Sequence, residues 1–414
     1  MRKRVVAIGA VFAASALTLS ACGGGGSDAK GDAPKSIKLV AAEYSASTKA
    51  FWDQFATKYK AKTGTKLDVQ IVSWNDIDQV SSTMLQNNNA PDILNLNVYA
   101  SYAKDDLLYD SDQVLSSSVK NDLLPNFVKS GTYKGKMYGM PDLSSARALF
   151  YNKTLFKKAG IAAPPKTWAD FEADAKKISA LGGGNAGYAM PLGPEESQAE
   201  FSIWMFNNGG DWKTDGKWTI DSAKNIETLN FLKKLAVDDK VTQNNPGKTN
   251  RTDGAFAQFQ SGKAGMVVGF SPLQATLDKD KSVDYGIAPM PTKDGGTPQS
   301  YGVTDYLMGF KKSGNQKAVK AFYDLYYQPD QVNKFIKQEG FLPVTQTGLK
   351  EFASEPSLKV YLDGLANTHL TPTDDPTWDK VKLAVQQSLG KAVQPDGSPK
   401  AVLTDLQKQA EAAK

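Results

Sequence analysis

Cysteine and histidine are all but missing from this chain of 414 residues: Cys22 is the one cysteine and His369 the one histidine. A single thiol excludes an internal disulfide framework, so the fold must be held by core burial. One thiol and one imidazole leave no zinc set, and no Asp-rich loop has the spacing of a calcium hand. No G-x-S-x-G surrounds a serine, which leaves a Ser-His-Asp arrangement without its usual setting. The glycine runs lack G-K-[ST] at the required spacing, so there is no phosphate-cradling loop, and no cofactor or metal is expected. Charge of one sign is also scarce. The formal charge is +5, but Arg2, Lys3 and Arg4 stand ahead of Cys22, and taking away these three leaves +2. No lysine or arginine block points to nucleic acid. His369, in T-H-L-T-P, reads as a surface loop.

The chain has one long apolar run, from Val5 to about Leu19, behind Arg2-Lys3-Arg4. It is too short and too rich in small residues for a permanent span and reads as a signal sequence, residues 1–21. Leu19-Ser20-Ala21-Cys22 resembles a bacterial lipobox, which implies acylation of Cys22 and cleavage just before it. Residues 22–35 are rich in Gly, Ser, Asp and Ala and should form a flexible tether with a reach of roughly 20 Å. A tethered globule outside a membrane suits a receptor, and equally a surface hydrolase.

Length alone points to two lobes, because 414 residues exceed what one core usually organises. Ile37 to Ala41 reads as a strand, Lys49 to Lys62 as a helix closed by Gly64, Leu67 to Val72 as a strand, and Pro91 to Leu94 opens a third. This strand-helix rhythm predicts a parallel sheet with ligand positions just past the strand ends. Those positions hold Glu43, Tyr44, Trp74, Asp76, Asn95 and Asn97.

The most sharply punctuated stretch is Tyr138 to Phe171. Gly139 and Pro141 mark a break, Ala146 to Tyr151 has strand character, and Asn152 stops it. A short helix runs from Thr154 to Ala159, Gly160 takes a C-cap place, and Pro164-Pro165 forbids continuation. Thr167 N-caps an amphipathic helix from Trp168 to Leu181. The run Y-N-K-x-L-F-x-K-A-G-I-x-x-P-P-x-T-W-x-x-F resembles the segment after the first interlobe crossover in extracellular solute-binding proteins of ABC importers, of the maltose-binding-protein-like class. The resemblance extends over nearly all of the chain beyond the tether. Ala255 to Gly269 resembles the family's helix, Gly-Lys turn and Met-bearing strand, Tyr285 to Pro291 a second crossover, and Gly340 to Pro343 a third.

What the resemblance implies is an α/β, two-lobed periplasmic-binding-protein-like fold with three interlobe crossovers and a ligand cleft between the lobes. The expected N-terminal lobe is 36–140 plus 286–340, and the C-terminal lobe 141–285 plus 341–414. The expected function is a lipid-anchored receptor that captures a carbohydrate by lobe closure and hands it to the permease of an ABC importer. An oligosaccharide is favoured, because aromatic candidates are spread over both lobes. A monomer without enzymatic activity is expected. Two alternatives stay open: a receptor for a non-sugar or acidic-sugar solute held by Arg147, and a surface glycosidase acting through carboxylates such as Glu43, Asp76 and Asp142.

A sugar presents hydroxyls in fixed directions and C–H patches on each ring face, so its site needs planar polar side chains and aromatic walls. Asn95 and Asn97 alternate with Leu94 and Leu96 and are expected to share one face. Asp142, Ser145 and Arg147 follow the first crossover, with Arg147 either a fork-like donor or an interlobe ion pair. Glu195-Glu196 should point apart at a helix start. Trp204 resembles a frequent family aromatic on a second-lobe helix, and Trp212 follows a Gly-Gly loop. Where the family commonly has Gly, a small residue and Trp, this chain has Gly269-Phe270-Ser271, making Phe270 the substitute. Trp378 resembles the aromatic that opens a C-terminal helix and stacks on sugar. Tyr301 and Asp305 flank a strand near the hinge.

Overall fold

The computed structural model describes residues 34–413 except 363, 364, 366 and 367. The signal sequence, Cys22 and nearly all of the tether lie outside the described residues. Ser36–Ala42 is an inner strand of a first sheet. Its residues are buried on both faces, as a strand covered by helices on two sides must be. It pairs in parallel with Lys66–Val72 on one side and Ile93–Leu96 on the other. The helices Thr48–Thr63 and Ile77–Gln86 make the connections. Gly64, at φ +77°, closes the first of these helices by donating its amide to the Lys60 carbonyl at 2.8 Å.

Tyr301–Gly309 then joins the sheet antiparallel to Ile93–Leu96, and Met140–Ala146 pairs antiparallel with it in turn. A second sheet runs in the order Tyr285–Ala288, Ala148–Asn152, Ala264–Gly269, Ala186–Ala189. Two mixed sheets, each packed with helices, are the two lobes. Only Arg147 separates the last residue of the first sheet's strand from the first residue of the second sheet's strand. Its amide donates to the Tyr301 carbonyl at 2.9 Å, which ties the crossing to the neighbouring crossover strand.

The boundaries therefore fall later than the sequence reading placed them. Residues 141–146 belong to the first sheet because Pro141 does not break the strand. The pairing skips Asp142: Tyr306 faces Pro141 while Asp305 faces Leu143. A bulge of this kind is where a sheet tolerates proline, since no ladder donor is needed there. Tyr285–Ala288 stays with the second sheet, so the return lies between Ala288 and Tyr301. Leu342 is still bonded to Ser144 of the first sheet, and His369–Leu370 pairs with Tyr301–Gly302. The last passage falls between Leu370 and the helix Trp378–Ser388. His369 accordingly sits in a strand rather than a loop, its ring stacked on Phe206 and its Nε2 3.0 Å from Asp211.

Aromatic packing fixes the first lobe: Trp52, Phe55, Phe322, Tyr326 and Phe335 interlock where Thr48–Thr63 meets Gln316–Tyr326 and Pro329–Glu339. The buried residues of all three core clusters lie between Ile37 and Ala410, so the unit Ala33–Lys414 carries its own core. Among the described residues no helix is long and apolar enough to cross a membrane.

Candidate functional site

A cleft of about 290 Å³ opens between the lobes, and its walls come from both. The first lobe gives Tyr44, Trp74, Asp78, Asn97, Ser145 and Asp305. The second gives Glu195, Glu196, Gln198, Arg251, Phe256, Phe270 and Lys382, and Arg147 enters from the crossing itself. Alternation along Met140–Ala146 explains the register. Leu143, Ser145 and then Arg147 reach the cleft, whereas Ser144 is turned to the Leu342 carbonyl.

Arg147 is 4 % exposed, and its guanidinium lies 4.0 Å from the Phe270 ring centroid. Its Nη2 donates to both carboxylate oxygens of Glu196 at 3.0 Å. Arg251, 1 % exposed, brings its Nε within 2.6 Å of the same carboxylate and reaches Glu200 at 3.9 Å. Burial pushes the Glu196 carboxyl up, but the two guanidinium groups outweigh it and hold the group below the usual carboxylate range. These two are the only arginines beyond the leader, in a chain that otherwise uses lysine for positive charge. That scarcity is a signal in the sequence for Arg251, which motif reading passes over. A buried carboxylate shared by two cations needs planar forks that stay charged, and lysine supplies neither property.

On the opposite wall, Tyr44 Oη donates to Asp305 Oδ2 at 2.7 Å. Burial raises the Asp305 carboxyl to about 7. Lys382, on the second-lobe helix, reaches across to Asp78 at 3.1 Å and Asn97 at 3.0 Å. Neither Asp78 nor Lys382 stands out in the sequence, because each is one more charge on an amphipathic helix.

Of the residues singled out from the sequence, Tyr44, Trp74, Asn97, Arg147, Phe270 and Asp305 line the cleft together. Others are placed elsewhere. Asn95 is fully buried and accepts from the Ala42 amide at 3.1 Å while donating to Asp142 at 2.9 Å, so it braces the floor beneath Tyr44. Asp142, the bulge residue, is buried and accepts from Asn95 and the Tyr326 hydroxyl. Asp76 is an exposed residue before helix Ile77–Gln86, bonded to Ser73, and Glu43 is exposed beyond the cleft wall.

The tryptophans are corrected most. Trp204 is fully buried, donating to Tyr188 and Glu200 at 3.0 Å and packed edge-on against Phe171. Trp212 is fully buried and donates to Ser202 at 2.8 Å. Trp378, 2 % exposed, stacks on Trp218 and, with Tyr301, lines a void of about 10 Å³ that shares Asn97, Gln198 and Lys382 with the cleft wall. These three indoles pack against aromatic partners from other segments, and the buried donors of Trp204 and Trp212 find acceptors too. The aromatic face left to the cleft is Tyr44, Trp74, Phe256, Phe270 and Phe341.

The sequence profile described as bacterial extracellular solute-binding protein matches residues 42–333. The chain belongs to this family. Its members are binding proteins that work outside the cytoplasm. A protein of Brucella abortus (strain 2308) named only as a binding protein is 28% identical over 385 residues, 91% of this chain and 92% of that one. The sn-glycerol-3-phosphate-binding periplasmic protein UgpB of Agrobacterium fabrum is 28% identical over 227 residues, about half of each chain (52% and 51%). Among solved structures, a sugar transporter from Arthrobacter chlorophenolicus with bound laminaribiose superposes with a TM-score of 0.80 at 20% identity, covering 92% of this chain and 99% of that one. Maltose-bound T. maritima MalE3 gives 0.79 at 20% identity, with 91% and 99% covered. At that identity the likeness speaks for the two-lobed fold.

Proposed function

We propose that this solute-binding protein is a carbohydrate receptor that delivers its ligand to the permease of an ABC importer. The carrying observation is the composition of the cleft: hydrogen-bonding side chains from both lobes, interleaved with the rings of Tyr44, Trp74, Phe256, Phe270 and Phe341. Rings cover the C–H faces of a sugar while amides, guanidiniums and carboxylates meet its hydroxyls. Several hydrogen bonds and ring contacts of about 1 kcal/mol each reach the roughly −8 kcal/mol of micromolar binding. Because both lobes contribute, ligand favours the closed arrangement, and a permease reads that arrangement.

The sugars on the structural relatives support this class, being maltose and laminaribiose in the two cited above. The lipobox-like Leu19 to Cys22 supports anchoring through acylated Cys22, with the globule held outside the membrane as a monomer. Turnover is not expected. The family this chain belongs to is one of binding proteins.

A thermal-shift screen of the unit Ala33–Lys414 against neutral mono- and oligosaccharides tests the reading. Ligand at a hundredfold excess over Kd adds about 2.7 kcal/mol of stability, a shift of several degrees. No shift with any sugar removes the carbohydrate assignment, and release of a cleaved product from a bound glycan removes the receptor assignment.

A further inference from the structure

The cleft wall holds three cationic side chains and four acidic ones. Every cation is already engaged. Arg147 and Arg251 share Glu196, Arg251 also faces Glu200, and Lys382 is held by Asp78. Glu195 and Asp305 line the same space without a cation in ion-pair range; Glu195 accepts instead from Thr252, through its amide at 2.9 Å and its hydroxyl at 2.5 Å. The wall therefore offers a ligand no uncommitted cation.

The hydrogen-bonding groups left without partners have both senses. Arg147 keeps Nε and Nη1 and Arg251 keeps Nη1 as buried donors, while Asp305 Oδ1 and Gln198 Oε1 are buried acceptors. A hydroxyl donates one bond and accepts others, so a polyol suits a wall that carries donors and acceptors side by side, such as the amides of Asn97 and Gln198 and the carboxylates of Glu195 and Glu196. A carboxylate or phosphate only accepts. It would leave the wall's acceptors unanswered and set its charge against Glu195.

We propose that Glu196 is the charge-selectivity determinant of the site, occupying both arginines so that neutral polyols are taken and their phosphorylated or carboxylated analogues refused. The proposal rests on the carbohydrate reading above. It deepens that reading by naming the ligand's charge class and the residue that sets it. Glu196 is 26% exposed at its side chain and stands in the cleft wall, so it acts on the ligand's surroundings directly.

Matched probe pairs test it by titration calorimetry on the unit Ala33–Lys414: glucose with glucose 6-phosphate and glucuronate, maltose with maltobionate, and glycerol with sn-glycerol 3-phosphate. For whichever pair binds, the neutral member is expected to bind tighter by about a hundredfold, since mismatched buried polar groups discriminate on that scale or above. An anionic member binding as tightly or tighter overturns the proposal and leaves a saccharide receptor standing. No binding by any member overturns the carbohydrate reading and the proposal with it.

The Glu196→Gln variant keeps the shape and frees the arginine charge. It is expected to gain at least about tenfold toward the anionic members relative to the parent chain. Should it fail to fold, Glu195→Gln removes an unpaired charge from the same wall and is expected to move anion affinity the same way. A folded variant with unchanged preference overturns the proposal.

Discussion

Tryptophan shows most sharply how residue-scale roles divide. Trp74 and Trp204 are the same side chain in two employments: one borders the cleft beside Tyr44 with ring centroids 5.6 Å apart, and the other is sealed in the second lobe. Trp74→Ala is therefore expected to weaken sugar binding by about tenfold, the worth of one aromatic contact, with an unfolding midpoint near that of the parent chain. Trp204→Phe should do the reverse. It removes one donor from Glu200 inside the core and is expected to lower stability by about 1–3 kcal/mol in urea titration, leaving affinity unchanged. A Trp204→Phe protein of normal stability but impaired binding would contradict the core placement. The residue types of the site were legible in the sequence, but their employment was not. What decides it for Trp204 is Tyr188, Phe171 and Phe231, which approach from elsewhere in the chain and leave no local mark. Arg147 and Arg251 had such a mark in their rarity.

Elements were read more faithfully than residues, because caps and periods are written locally. Thr167 and Asp170 form a reciprocal capping box at 3.1 Å in both directions at the start of Trp168–Ser179, where the threonine was expected to cap. Thr167→Ala should cost about 1 kcal/mol with no change in affinity, read from the urea midpoint. The error at Pro141 has the opposite origin. Proline reads locally as a break, but the bulge at Asp142 in the pairing with Tyr301–Gly309 absorbs it, and nothing in the local sequence announces that partner. Lys382 and Asp78 belong to the same class of invisible pairing, two helices from different lobes that meet only across the cleft. Since their bond exists only with the lobes together, Asp78→Asn is expected to lower the closed fraction. Apparent affinity should fall several-fold with that fraction, and small-angle scattering of the ligand-free protein should show a larger radius of gyration. An unchanged radius and affinity would show that the pair contributes nothing to closure.

At the scale of the whole molecule, carboxyl groups are shifted in both directions, and acid-base behaviour follows from the balance; burial raises Glu200 in the second lobe as well. Asp142 is pushed up to about 8 by burial, which the Tyr326 hydroxyl only partly offsets, and Asp305 is pushed up to about 7 by burial. In the unfolded chain both return to an ordinary aspartate value near 3.9. Between about pH 4 and 8 the folded protein thus binds more protons than the unfolded one, and its stability must fall as pH rises through that window. Asp375 and Glu196 work the other way. Their folded values lie below the ordinary range, where Lys213 and the arginine pair outweigh burial, so their contribution is lost as pH falls through those values. Stability is expected to peak on the acid side of neutrality, with the alkaline decline belonging to the carboxyls that burial raises. Asp142→Asn isolates one share of that decline. The amide cannot ionise, so the difference in unfolding free energy between variant and parent should move in the variant's favour from pH 5 to pH 8. Urea titrations at pH 5, 6.5 and 8 read this directly, and a difference that stays constant across the three would show that Asp142 does not change its protonation on unfolding in this range.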